Sequence, residues 1–115
     1  MQELKIQENK LYIGTKVLTY KYNISNILYI SDKLIILFDI PENELLENIF
    51  AITTDGKVLW QVQHVMEAYP EIQKTSPFVG ISLMENGNIA AANYYGLVFE
   101  ISINSGKILS KQMGK

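Results

Sequence analysis

Cysteine and arginine are both missing from this 115-residue chain, and histidine occurs once. Without cysteine there is no disulfide, no thiolate nucleophile and no Cys-based zinc site. Without arginine there are no bidentate clamps on phosphate and none of the commonest guanine contacts, and the ten lysines are spread thinly. A formal net charge of −2 gives no general attraction to nucleic acid or to acidic membranes, so neither is an expected partner. Long apolar runs are missing too. The longest, Leu34–Phe38, suits a buried strand and falls far short of the ~20 residues of a membrane-spanning helix. The opening MQELKIQENK has no apolar core of a signal peptide, so a cytoplasmic location is the expectation. Asn23-Ile24-Ser25 fits the glycosylation pattern and is read as chance.

What is present is a succession of hairpin signals over a single domain, residues 1–115. The clearest is Asn48–Gln63, NIFAITTDGKVLWQVQ. Asp-Gly between apolar runs favours a turn, because both residues tolerate positive φ. A two-residue loop at Asp55-Gly56 sets Ile49 against Val62, Ala51 against Trp60 and Thr53 against Val58 on one apolar face, with Trp60 in the core. At Asn86-Gly87 the same rule pairs Met84 with Ile89 and Leu83 with Ala90, a strand pair without a wet face, which is expected in the middle of the structure. At Ser105-Gly106 it pairs Ile103 with Ile108 and sets Glu100 beside Lys111 as a cross-strand ion pair. Earlier, Leu4–Gln7 and Leu11–Ile13 read as a hairpin, followed by strands at Val17–Tyr22, Ile27–Ile30 and Leu34–Ile40. Pro41–Asn48 reads as a loop or a single helical turn, and His64–Tyr69 as one helical turn or an irregular crossing. The fold class is therefore all-β, an antiparallel meander of about ten strands, packed as a sandwich or partial barrel with the N-terminal hairpin supplying a further layer.

Gly56 and Gly106 lie 50 residues apart, each in a strand–(D/S)-G-K–strand unit, and at that offset Ile49 matches Phe99, Ala51 matches Ile101 and Val58 matches Ile108. Each unit is preceded by another hairpin, ILYISDKLIILFD or ISLMENGNIAAANY, which makes four up-and-down strands per half. Over about 27–63 and 81–112 these halves resemble the blade repeats of quinoprotein-type (PQQ-like) β-propellers, whose blades end in a segment like NIFAITTDGKVLWQV. The resemblance implies two propeller-blade-like units. It implies no cofactor here, because the family's quinone chemistry needs a closed ring of ~4–8 blades. Ser110 stands where the repeat would place the counterpart of Trp60.

The candidate partner-binding residues fall in two places. Asp39, Glu42, Glu44 and Glu47 form the densest charge feature, read either as a solvated loop or as a negative knob that docks on a basic partner surface. Tyr94 and Tyr95, in Asn93-Tyr94-Tyr95-Gly96, put two aromatics at a turn, either as interface anchors or as a cap over the sheet edge. His64 with Glu67 falls short of the three or four protein ligands zinc normally takes, and no G-x-S-x-G element occurs. No catalytic residue, metal or cofactor is assigned. The expected function is a non-catalytic protein-binding module, in its most concrete form an immunity-type protein that covers the basic active face of a toxin domain. The alternatives are a structural module that self-associates into homo-oligomers through open sheet edges and, last, a small-ligand binder with a pocket between the sheets.

Overall fold

The computed structural model describes residues 3–41 and 44–113. Strands β1 (Leu4–Gln7), β2 (Lys10–Ile13) and β3 (Lys16–Thr19) form the first sheet. The second holds β4 (Asn23–Ile30), β5 (Lys33–Asp39), β6 (Ile49–Thr53) and β7 (Val58–Gln61). A one-turn helix, α1 (Val65–Ala68), leads to the third, made of β8 (Phe78–Leu83), β9 (Ile89–Asn93), β10 (Leu97–Ile101) and β11 (Ile108–Met113). Within each sheet every strand pairs antiparallel with its sequence neighbour, so each sheet is an up-and-down meander, and among the described residues no barrel closes.

The unbroken apolar run of β5 has a direct cause: both of its faces are buried. Ile35 and Leu37, with Ala51 and Trp60, pack against Ile81, Ile89, Phe99 and Ile101 of the third sheet. Leu34, Ile36 and Phe38, with Ile52, pack against Leu11 and Ile13 of the first. The second sheet is thus the middle layer of a three-sheet stack, and the N-terminal segment supplies a three-stranded layer rather than a hairpin. The β8–β9 pair, expected in the middle, lies in an outer sheet. Its second face carries Gly80, Ala90 and Ala92, small residues that gain little from being covered.

The glycine turns fall where expected, but each loop is longer than two residues. A type I′ loop needs positive φ at both central positions. At each of these turns only the glycine has it, with φ of 94° at Gly56, 91° at Gly87 and 76° at Gly106. Gly56 N–H donates to Thr53 O at 2.9 Å and Thr53 N–H to Lys57 O at 2.8 Å, which encloses the three residues Thr54–Gly56. Ala51 still faces Trp60, while Val58 faces Ile52 instead of Thr53. Glu85–Gly87 forms the same loop, so Leu83 faces Ile89 rather than Ala90. The third loop has four residues, Ile103–Gly106, and pairs Ile101 with Ile108 and Glu100 with Ser110. The expected Glu100–Lys111 ion pair does not form. Glu100 Oε2 accepts from the amides of Asn88 (2.8 Å) and Asn86 (2.9 Å), and the Lys111 ammonium lies 4.9 Å from the Tyr69 ring centroid.

That extra residue also corrects the internal match. Trp60 and Ser110 are 50 apart, but their strand partners Ala51 and Glu100 are 49 apart. Phe50 and Ile52 therefore correspond to Phe99 and Ile101, and both pairs face the preceding sheet. The sheets interlock through the same turns. Trp60 Nε1 donates to Ile103 O at 3.0 Å, and its ring lies so close to Gly106 that a Cβ there would come within 2.5 Å of Cε3. One layer earlier the Gly56 turn sits on Leu18.

Four β-bulges interrupt the two larger sheets, with Ser25, Leu59, Val79 and Leu109 as the extra residues. Each lies on an edge strand: β4, β7, β8 or β11. A bulge kinks the strand and breaks the regular row of free backbone groups that another strand would need.

Candidate functional site

Where β5 ends and β8 begins, one buried side chain ties the second sheet to the third. Asn48 is fully buried and donates its amide hydrogens to Phe38 O (2.8 Å) and Phe78 O (2.9 Å). Its Oδ1 accepts from Phe78 N–H at 2.8 Å, and its backbone carbonyl accepts from Phe38 N–H at 3.0 Å. The side-chain amide thus satisfies backbone groups of β8 as a neighbouring strand would. It adds a polar tie between two chain segments that also meet through the apolar core shared by the second and third sheets.

Beside this clamp opens a cleft of about 410 Å³. Phe38, Asp39 and Ile40 line it from the second sheet, with Ser25 of β4. Ser76–Val79 line it from the third, and Tyr94 and Tyr95 complete it. Ser25 and Val79 are the two bulge residues on this side, and the Val79 side chain is exposed. The tyrosine turn is fixed from behind. Buried Ser76 Oγ accepts from Tyr94 N–H at 2.9 Å and donates to Pro77 O at 3.0 Å. Buried Asn93 Oδ1 accepts from Tyr95 N–H (3.0 Å) and Leu97 N–H (3.1 Å). On this frame the two rings stand edge to face, centroids 6.2 Å apart and planes at 77°. Tyr94 is 78% exposed and Tyr95 45%. The Lys74 ammonium lies 5.7 Å from the Tyr95 centroid.

Of the residues singled out in the sequence, Asp39, Tyr94 and Tyr95 share this cleft although they come from opposite halves of the chain. Glu44 and Glu47 do not line it. Glu44 accepts from the Tyr22 hydroxyl at 3.0 Å and pairs with Lys21 at 3.3 Å, and these two contacts hold its carboxyl below the usual carboxylate range. Glu47 Oε2 lies 3.5 Å from His64 Nε2. Glu42 lies outside the described residues. His64 itself serves the fold, since its Nδ1 accepts from Met66 N–H at 3.0 Å and so caps α1. Among the described residues, no three His, Asp or Glu side chains converge as metal ligands would.

Asn48, Ser76 and the two bulges were not picked out from the sequence. The bulges leave a trace there, since buried Ile24 is followed by Ile27, and Phe78 by Ile81, at a spacing of three instead of two. Asn48 and Ser76 leave none, because the contacts that matter, to Phe78 and to Tyr94, reach backbone groups 30 and 18 residues away. No curated protein shows significant similarity to the chain. Residues 1–113 match the family described as a domain of unknown function, DUF7957, and the chain belongs to that family.

Proposed function

We propose that the chain is a non-catalytic protein-binding module that receives its partner in the cleft between β5 and β8. The observation that carries this reading is the convergence of Asp39, Tyr94 and Tyr95 on one preformed site. Exposed tyrosines on a turn braced by Ser76 and Asn93 offer much contact area for little lost rotamer freedom, which is how interface anchors work. The polar groups around them favour recognition over bond breaking. The Ser76 hydroxyl already accepts one hydrogen bond and donates another, which leaves it poorly placed as a nucleophile. An immunity-type role, in which the cleft and its surroundings cover the basic face of a toxin domain, is one concrete form of this function.

The likeness of the two larger sheets to quinoprotein-type blades belongs to the same proposal. Its support is the repeated seating of a glycine turn on the sheet before it, Gly56 on Leu18 and Gly106 on Trp60. In this reading blade-like units serve as a rigid frame for a recognition cleft.

The test is selection of a random peptide library, displayed on phage, against the parent chain. Selected peptides should lose about tenfold or more in affinity for the Tyr95→Ala and Asp39→Lys variants, as interface anchors do. Peptides that bind both variants as tightly as the parent would overturn the proposal.

A further inference from the structure

We infer that the cleft recognises a long cationic side chain, of the lysine type, presented by a partner protein. This rests on the binding-module reading and adds the chemistry of the occupant. The first support is charge. Asp39 is exposed in the cleft and, among the described residues, takes part in no ion pair. A cation entering there gains an opposite charge without displacing one.

The second support is the tyrosine pair. Both rings stay exposed with their planes at 77° to each other, and an exposed π face attracts an ammonium group through its quadrupole. Tyr95 already takes a cation within the chain itself, since the Lys74 ammonium stands 5.7 Å from its centroid. The third is the apolar lining. Val79 is exposed and Ile40 and Pro77 are half-buried in the cleft, and they suit the hydrocarbon stem of a lysine while its charged end stays at the polar rim. A carboxylate would meet Asp39 and the negative ring faces, and a purely apolar side chain would cover Asp39 without compensating its charge. Lys74 is then a built-in competitor, a tethered cation on a ring that the partner also uses.

The probes are three alanine-based nonapeptides that differ only at the central residue: lysine, norleucine or glutamate. Affinity is read by calorimetry and the site by amide NMR shifts of the protein. The lysine peptide should shift the amides of Asp39, Val79 and Tyr95. Norleucine, with the stem but no charge, should bind about tenfold more weakly, and glutamate weaker still. Asp39→Asn and Tyr95→Ala should each weaken the lysine peptide while Tyr95→Phe keeps it. Lys74→Met should tighten it about two- to fivefold, the range of an exposed cation–π contact. Equal affinity for lysine and norleucine, or lysine binding indifferent to both Asp39→Asn and Tyr95→Ala, would overturn the inference. Library-selected peptides that need the cleft but carry no basic residue would sink this inference alone. Lysine-peptide shifts confined to another surface would remove the cleft reading with it.

Discussion

Asn48 donates both amide hydrogens and accepts one hydrogen bond in return, so its removal strands the carbonyls of Phe38 and Phe78 and the N–H of Phe78 together. Asn48, Phe38 and Phe78 are buried, and each unsatisfied buried group is costly. Asn48→Ala should destabilise the fold by about 2–4 kcal/mol, and Asn48→Leu should not restore it, because volume is not what is missing. Chemical denaturation midpoints check this, and a midpoint equal to the parent's would contradict the clamp. Of the cleft residues, Asp39, Tyr94 and Tyr95 were legible in the sequence for a different reason: Asp39 heads the densest acidic stretch, and two tyrosines in a turn stand out locally. The residues that hold them in place do not, because Ser76 and Asn48 act on backbone far away in the chain.

Among the elements, the glycine turns show what local sequence can and cannot specify. The need for positive φ marked all three positions correctly. Loop length was not marked, because Asp-Gly or Asn-Gly fits a two-residue loop as readily as a three-residue loop that ends in a glycine bulge. Strand identity survived the error, but the cross-strand partners near each turn and the predicted Glu100–Lys111 pair did not. The turns also differ in what surrounds them. An added Cβ at Gly87 meets open space, whereas at Gly106 it meets the Trp60 ring. Alanine at either position costs about 1–2 kcal/mol for left-handed backbone, and only Gly106→Ala adds a clash across the sheets. Gly106→Ala should therefore lower the denaturation midpoint more than Gly87→Ala. Trp60→Ala should cost about 3–5 kcal/mol. The double variant Trp60→Ala/Gly106→Ala should cost less than the sum of the singles, because removing the indole removes the clash. Strict additivity would contradict the interlock.

At the scale of the molecule, the stack is finished on the side of the third sheet by a change of residues on one face. The second sheet meets the third with the rows Ile35–Ala51–Trp60 and Leu37–Ile49–Val62. The corresponding outer rows of the third sheet are Ala90–Glu100–Ser110 and Ala92–Val98–Gln112. Apart from Val98, large apolar side chains have given way to alanine, serine, glutamine and a carboxylate, a face with little to gain from a further layer. With bulges on all the edge strands of the two larger sheets, the free edges are also poor templates for pairing. The chain should sediment as a monomer across the micromolar range. Glu100→Ala combined with Ser110→Trp and Gln112→Val should introduce concentration-dependent association by rebuilding the face that the second sheet uses. A parent chain that already dimerises through that face would contradict this account. The layered packing was only partly legible: the apolar run of β5 announces a buried strand but not which layer it occupies, and the small residues of β8 and β9 read as a covered pair although they lie in an outer sheet.

The most direct test of the cleft as the functional surface is hydrogen–deuterium exchange on the chain with and without a library-selected binder. Binding should slow exchange at the amides of Asp39 and Ile40, at Phe78 and Val79, and at Tyr94 and Tyr95, while the β7 and β11 edges and the outer face of the third sheet exchange as before. Protection confined to those edges or to that outer face, with the cleft amides unchanged, would contradict the account.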